Sequence, residues 1–309
     1  MKLLCIVGPT ATGKTAVAIE LARRLDGEVI SCDSMQIYRG MDIGTAKATA
    51  AERAAAPHHM LDLVAPHEPY SAARYAQQAA QVIEDIVARG KRPILTGGTG
   101  LYLRALLYGL HDAAPDDGGQ ARARWQDFAA QNGLEALHGE LARVDSITAE
   151  RLSPGDIKRV VRALEVYTLT GLPLSMHHER SKQTPPCYDA QMVGLTVNDR
   201  QVLYERIDRR VEQMRRQGLT DEVRALLAQG LSGDTTAMQA IGYKELVQAL
   251  SAPDGDLDAA YAAIAQATRR YAKRQLTWFR ALPEVCWFDV SRKNVEGLST
   301  EIMEKYGLP

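Results

Sequence analysis

Gly8-Pro9-Thr10-Ala11-Thr12-Gly13-Lys14-Thr15 decides the fold of this chain. The run before it, Leu3-Leu4-Cys5-Ile6-Val7, is apolar and of strand length, and the run after it, Ala16–Leu25, has helical spacing. Strand, G-x-x-x-x-G-K-T, helix reads as a phosphate-binding loop (P-loop). Successive backbone N–H groups curl around an anion, the helix N-terminus adds partial positive charge, Lys14 supplies a full one, and the Thr15 hydroxyl suits Mg²⁺. The segment predicts a grip on a polyphosphate.

Working outward, residues 1–110 read as repeated βα units. Glu28–Cys32 is a second apolar strand closed by Asp33-Ser34, Ser71–Arg89 a helix with Ser71 as N-cap, and Pro93–Thr96 a third strand running into Gly97-Gly98-Thr99-Gly100-Leu101-Tyr102. Strands alternating with helices imply a parallel sheet with ligands at the strands' carboxyl ends. The fold expected is α/β, a P-loop NTPase-like parallel sheet flanked by helices. Composition shifts to Asp, Gly, Pro and Ala near Asp112–Gln120, which reads as linker. Beyond it only helices are evident up to about His178. One should start at Ser153-Pro154-Gly155-Asp156, with Ser153 as N-cap, Pro154 at the first helical position and the stripe Ile157, Val160, Val161, Leu164 and Tyr167. Gln191–Val197 returns as a strand, and Asp199–Leu250 and Leu257–Leu282 are mostly helical. Residues 1–114 and 186–309 therefore read as the α/β core with C-terminal helices, and 115–185 as a helical insertion.

The 309 residues are 46% hydrophobic and 24% charged, an ordinary globular balance with no tract long enough to span a membrane. The first strand begins at once, leaving no room for a signal peptide, so a cytoplasmic protein is expected. Cys5, Cys32, Cys187 and Cys286 lack the spacing of a zinc module or disulfide framework. A net charge of −1 leaves any nucleic-acid surface to local segregation of charge. No self-complementary apolar surface is apparent, which favours a monomer.

A P-loop ATPase needs a second strand ending in Asp to help hold Mg²⁺, but Pro93–Thr96 ends in Thr-Gly-Gly. The acid stands instead at the end of Glu28–Cys32. There Asp33 suits a general base for an acceptor; the other reading is a residue that caps the turn into Ser34-Met35-Gln36. The Gly97–Tyr102 turn either lines the same crevice or permits tight packing. Pro57-His58-His59-Met60 lacks partners for a metal and reads as structural. Near the C-terminal end, Arg269, Arg270, Lys273, Arg274 and Arg280 fall within an arc of about 140° at helical spacing, with Tyr271, Ala272, Leu276, Trp278 and Phe279 opposite. No acid from the same segment interrupts the arc, so a polyanion is the expected partner. Lys158, Arg159 and Arg162 extend this footprint unless Glu165 pairs with Arg162; Arg206, Arg209 and Arg210 form a further cluster.

Gly8–Thr15, Asp33-Ser34-Met35-Gln36-Ile37-Tyr38, Asp42-Ile43-Gly44-Thr45-Ala46-Lys47, Pro57-His58-His59, Gly97–Tyr102, Arg162–Val166, Ile241-Gly242-Tyr243-Lys244-Glu245 and Tyr271–Arg280 follow one another along nearly the whole chain. Their order and content resemble the tRNA dimethylallyltransferases of the bacterial type. The departures are Ala48, where the family usually has Pro, and the neighbourhood of Gly155, where it usually has Asn; neither falls on the expected chemistry.

The resemblance implies transfer of a dimethylallyl group from dimethylallyl diphosphate to N6 of the adenosine 3′-adjacent to the anticodon in a tRNA anticodon stem-loop, releasing pyrophosphate. It assigns Lys14, Thr15 with Mg²⁺, and the loop Gly8, Pro9, Thr10, Ala11, Thr12 and Gly13, through its backbone N–H groups (Pro9 has none), to the departing pyrophosphate. Thr10 would also bond the bridging oxygen, Arg210 would clamp the diphosphate with Arg206 a close rival, and Asp33 would accept the N6 proton. It further implies tRNA contacts by Asp33, Ser34, Met35, Gln36, Thr99, Arg122, Ile157, Lys158, Arg159, Val160, Val161, Met238, Gln239, Ala240, Ile241, Gly242 and Tyr243, and by Tyr271, Ala272, Lys273, Arg274, Gln275, Leu276, Thr277 and Trp278. The alternatives are a P-loop small-molecule kinase using ATP, which would need a lid of arginines that cannot be assigned here, and a non-catalytic nucleotide-gated RNA-binding protein.

Overall fold

The computed structural model describes residues 2–109, 117–291 and 293–309, with the side chains of Lys182 and Gln183 outside that description. The chain divides into two compact units, Met1–Leu107 with Tyr188–Pro309, and Tyr108–Cys187. The expected linker at Asp112–Gln120 and the expected boundary at 114–115 lie largely outside the described residues.

The first unit holds strands β1 (Lys2–Val7), β2 (Gly27–Cys32), β3 (His58–His59), β4 (Arg92–Gly97), β5 (Asp189–Thr196) and β6 (Cys286–Asp289). They pair in the order β3-β2-β4-β1-β5-β6, every pair parallel. Helices α1 (Lys14–Arg24), α2 (Ala50–Ala55), α3 (Ala72–Ala88) and α4 (Gly100–Tyr108) follow the early strands. The β1 run is apolar without alternation because both sheet faces are covered. Leu4 and Ile6 join one core cluster with Val17 and Leu21 of α1, while Leu3 and Cys5, pointing to the other face, are equally buried. On α3, Tyr75, Ala79, Ile83 and Ile86 repeat at helical spacing and are buried, and Ser71 caps the helix by accepting from the Arg74 N–H at 3.1 Å.

Register explains how distant motifs meet. Val7 lies beside both Gly97 and Gly194, and Cys32 beside Gly97, so β1, β2 and β4 end level with one another and β5 runs two residues further. The loop after β1, Asp33 after β2 and Gly98-Thr99 after β4 therefore leave the same edge. β4 intervenes between β1 and β2, which makes the end of β1 a crevice where ligands settle in such sheets.

The second unit contains α5 (Gln120–Asn132), α6 (Leu134–Val144), α7 (Ser146–Arg151), α8 (Ile157–Thr170) and α9 (Leu174–Gln183). Its own core includes Leu137, Leu141, Val160, Val161, Leu164 and Val166, with Trp125 and Phe128 packed against it. Asp145 ties the bundle by accepting from Thr148 N at 3.0 Å, Thr148 Oγ1 at 2.7 Å and Ser175 N at 2.9 Å. The start predicted at Ser153 is corrected: α8 begins at Ile157, and Ser153 accepts from Gly155 N in the preceding turn.

After β5 the first unit resumes with α10 (Arg200–Arg216), α11 (Leu219–Ala228), α12 (Tyr243–Ser251), α13 (Leu257–Arg280) and α14 (Val295–Tyr306). Two strands are additions to the sequence reading. β3 has two residues and no apolar run to announce it, and β6 follows helical sequence with only four residues.

Candidate active site

The loop between β1 and α1 is shaped by residues that tolerate its backbone. Gly8 has φ +135°, and a Cβ there would stand 2.3 Å from the Leu195 carbonyl oxygen on neighbouring β5. Gly13 closes the loop at φ +80° just before α1. Ala11 takes φ +64° without being glycine, a local cost of about 1 kcal/mol that surrounding contacts hold in place. Those contacts include buried Thr12, whose hydroxyl donates to Pro9 O at 2.9 Å.

Lys14 curls into the same loop and donates to Pro9 O at 2.7 Å. Burial, reinforced by the neighbouring Arg210 guanidinium and opposed by Asp33, brings its ammonium down to about 7. Burial also lowers Arg210, and the Asp33 carboxylate counters it. Two cations and one carboxylate thus share a partly exposed wall whose net positive charge would attract an arriving anion.

Asp33 closes the turn into Ser34-Met35-Gln36 and keeps one carboxylate oxygen for a further partner. Its Oδ1 accepts from Met35 N at 2.8 Å and Gln36 N at 3.4 Å, closing the turn, while Oδ2 has no hydrogen bond among the described residues. Thr99 fixes that turn from β4: its hydroxyl accepts from Ser34 N at 3.0 Å, and its N–H donates to Cys32 O at 3.2 Å. The glycine-rich turn also packs tightly, because a Cβ on Gly100 would meet the Trp278 ring at 2.4 Å.

Gln275 of α13 joins these pieces, and sequence reasoning missed this function. Its Oε1 accepts from Thr10 N at 2.9 Å and its Nε2 donates to Gly98 O at 3.0 Å, so one buried amide links P-loop and β4–α4 turn. The available signal was a lone polar residue on the apolar side of a basic helix. Tyr271, one turn earlier, lies against Thr99 and Gln275, and burial raises its phenol well above the ordinary range.

Two cavities open on this edge. The larger, about 720 Å³, is lined by P-loop residues including Gly13, Lys14 and Thr15, and extends to Asp42–Arg53 and His58. The smaller, about 300 Å³, is lined by Met35, Gln239, Ile241, Ile264 and Arg274 among others. Thr10, Asp33, Arg210, Met214 and Tyr271 border both. Arg206 instead donates to Val290 O at 3.2 Å and Arg209 to Glu205 O at 3.4 Å, which leaves Arg210 as the cation of this cluster at the cavity wall.

The basic arc of α13 is corrected at one end. Arg269 pairs with Asp208 of α10 at 2.5 Å, an acid from a different helix, whereas Arg270, Lys273, Arg274 and Arg280 remain exposed. The expected RNA-contacting runs are likewise divided by the helical period. Lys273, Arg274, Thr277 and Gln239 are exposed, and Ser34, Met35, Gln36, Ala240, Ile241, Tyr271, Leu276 and Trp278 partly so. Ala272, Gln275, Met238, Gly242 and Tyr243 point inward, Met238 and Tyr243 at 0% exposure, so their side chains are core. In the second unit Ile157, Lys158 and Arg159 are exposed and Val160 and Val161 buried. Arg122 and Arg162 both reach Glu165, at 2.9 and 3.2 Å, and Arg159 reaches Asp156 at 3.2 Å. Both histidines make hydrogen bonds within the fold, His58 to Ala56 O at 2.8 Å and His59 to Glu28 at 2.6 Å, while His58 Nε2, on a residue that lines the larger cavity, has no partner among the described residues. Arg89, as Glu28's bidentate partner, holds that carboxyl down to about 2.

The family model described as IPP transferase matches residues 36–282. The chain is 49% identical to tRNA dimethylallyltransferase 1 of Pelobacter propionicus, covering 94% of each chain. It is 44% identical to the tRNA dimethylallyltransferase of Carboxydothermus hydrogenoformans, covering 99% of this chain and 98% of that one. Among solved structures, the tRNA isopentenylpyrophosphate transferase of Bacillus halodurans aligns with TM-score 0.72 and 42% identity over 99% of this chain and 95% of that one. A eukaryotic dimethylallyltransferase acting on tRNA aligns with TM-score 0.81 and 28% identity over 100% of this chain and 80% of that one. On the strength of both sequence and structure, the chain belongs to the bacterial type of tRNA dimethylallyltransferases, the IPP transferase family.

Proposed function

We propose that this enzyme transfers the dimethylallyl group of dimethylallyl diphosphate to N6 of the adenosine 3′-adjacent to the anticodon in tRNA. The observation that carries the reading is the wall common to both cavities, on which Thr10, Asp33 and Arg210 stand with the P-loop on one side. The diphosphate enters the larger cavity and meets Lys14, Arg210 and loop amides other than that of Thr10, which, contrary to the sequence expectation, donates to Gln275. The adenine leaves its stack and enters the smaller cavity beside exposed Arg274 and Gln239, as bases must when an enzyme modifies them.

At the shared wall the allylic C–O bond breaks as the C–N bond forms. The electron pair leaves with pyrophosphate, and the N6 proton passes to Asp33, whose Oδ2 is free to receive it. The Thr10 hydroxyl donates to the bridging oxygen, while Lys14 and Arg210 stabilise the charge gathering on the leaving group. Holding a weakly nucleophilic amine against the allylic carbon supplies much of the rate.

The donor set also fits Mg²⁺. The described residues contain no cluster of three His, Cys, Asp or Glu for an all-protein cage, but Thr15 offers a hydroxyl beside the diphosphate site, and Mg²⁺ commonly takes few protein ligands with phosphate oxygens and water. Bound there, it would offset negative charge on the leaving pyrophosphate. Among the described residues no helix is long and apolar enough to cross a membrane.

The test is incubation with unmodified tRNA and either dimethylallyl diphosphate or ATP, followed by mass analysis of the nucleosides. A gain of one prenyl group on adenosine is expected in the first arm only. Phosphoryl transfer from ATP without prenyl gain would refute the reading.

A further inference from the structure

Asp42–Lys47 and Ile241–Glu245 stand out in the sequence but take no direct part in the chemistry above. The structure connects them through Glu222 of α11. One Glu222 oxygen accepts from Asp42 N at 2.9 Å and Ile43 N at 2.8 Å; the other accepts from Gly44 N at 3.2 Å and from the Tyr243 hydroxyl at 2.6 Å. Three successive backbone amides form an anion-binding concavity, and a carboxylate of the chain itself fills it. Tyr243 completes the support from below. Its ring lies so close to Gly44 that a Cβ there would be 2.5 Å away, which explains both the glycine and the full burial of this tyrosine.

The far end of the same loop has separate anchors. Lys47 donates to Tyr38 O at 2.7 Å and to Asp42 and Asp62 at 2.6 Å each, and Gln36 Nε2 donates to Thr45 O at 3.2 Å and Ala46 O at 3.3 Å. Among the described residues, Glu222 is therefore the side chain from outside the loop that holds the amides of the near end, residues 42–44, while Lys47 ties the Asp42 side chain from within the loop. That end bears on function because Asp42 and Ile43 line the larger cavity, Gly44 the smaller, and Thr45 both.

We infer that Glu222 is a positioning residue: from a helix remote in sequence, and backed by the Tyr243 hydroxyl, it sets the loop that walls the diphosphate cavity where this meets the acceptor cavity. The inference rests on the reading that the larger cavity receives dimethylallyl diphosphate. Releasing Glu222 would leave the loop tethered through Lys47, including its bond to Asp42, but would unpair the amides of Asp42, Ile43 and Gly44 and loosen the donor wall while leaving α13's exposed cations in place.

The experiment compares Glu222→Ala, Glu222→Gln and Tyr243→Phe with the wild type in donor KM, kcat, tRNA Kd and thermal midpoint. A charge-assisted bond to a backbone amide is worth enough that losing several should raise donor KM by about tenfold or more in Glu222→Ala. Glu222→Gln, which keeps one acceptor oxygen, should recover part of this, and Tyr243→Phe, which keeps the ring beneath Gly44, should give the smallest rise. The tRNA Kd should stay within about twofold, since no phosphate-contacting cation is removed. A lowered midpoint with wild-type donor KM in Tyr243→Phe and Glu222→Gln would mean a purely structural role and overturn the inference, even if Glu222→Ala fails to fold. Wild-type protein inactive on dimethylallyl diphosphate would overturn the functional reading beneath it, a separate result visible before any variant is made.

Discussion

Replacing Gln275 by Met keeps the length of the side chain and removes both of its hydrogen bonds. The Thr10 N–H and Gly98 C=O, bonded at 2.9 and 3.0 Å, would then lie unpaired in a closely packed place. Gln275 Nε2 packs so closely on this turn that a Cβ on Gly98 would meet it at 2.0 Å, and the methionine thioether offers neither the donor nor the carbonyl acceptor it replaces. Each buried group left unsatisfied costs about 1–3 kcal/mol, so a loss of roughly 2–6 kcal/mol in stability is expected. The kinetic consequence follows from Thr10: without its anchor the hydroxyl no longer points reproducibly at the bridging oxygen. A misplacement of about 1 Å commonly costs on the order of a hundredfold, so kcat for prenyl transfer should fall by about 10- to 100-fold. Exposed Lys273 and Arg274 are untouched, and tRNA affinity should hold. Single-turnover transfer with saturating donor, read beside a thermal melt and a tRNA titration, gives the three quantities. Wild-type kcat in a folded but less stable variant would refute the claim that Gln275 positions Thr10.

Asp33→Ala should abolish transfer while retaining most tRNA affinity, because it removes the proton acceptor and leaves the basic face of α13 intact; wild-type turnover would take Asp33 out of the mechanism. Donor KM should be low below neutrality and rise as pH passes about 7, where Lys14 loses the proton that burial and Arg210 already weaken. The sign follows from the group: its charged form binds the diphosphate and prevails below its pKa. In Lys14→Met the KM should be high throughout with that inflection gone, and a persistent inflection near 7 would point to another group. Lys273→Ala with Arg274→Ala should reduce the slope of log affinity for tRNA against log salt by about 1–2; an unchanged slope would exclude phosphate contacts there.

Most of the sheet could be read from sequence because buried parallel strands leave an unmistakable trace, short apolar runs that end in Gly or Asp. Leu3–Val7, Glu28–Cys32 and Pro93–Thr96 are each such a run, and each strand extends by one or two residues beyond it. β3 escaped because two histidines bonded to Ala56 and Glu28 carry no hydrophobic signal. The site was legible to the extent that it sits on strand ends: register alone brings Gly8, Asp33 and Thr99 together. Its supports were not legible. Gln275 and Glu222 act across 265 and 178 to 180 positions of sequence, and nothing local marks a glutamine or glutamate as a bracket. Runs of motif residues on a helix likewise say nothing of direction, so Tyr271–Trp278 mixes exposed cations with buried Ala272 and Gln275.

The direction of those inward residues bears on why a loop so common among nucleotide-dependent phosphoryl-transfer proteins can serve a different reaction here. In phosphoryl transfer the terminal phosphorus is attacked, so the protein must surround it and bring an acceptor in line with it. Here the Thr10 amide is already spent on Gln275, which turns that part of the loop towards α13, the helix whose outer face carries Arg270, Lys273 and Arg274. Thr10 and Asp33 then face a cavity on either side of one wall, and no strand-end carboxylate follows β4 to complete a kinase-like metal site. A diphosphate held by such a loop would project its esterified end at that wall and away from the cradle. The bond best placed to break is the one between its oxygen and carbon, and the atom best placed to be attacked is the carbon.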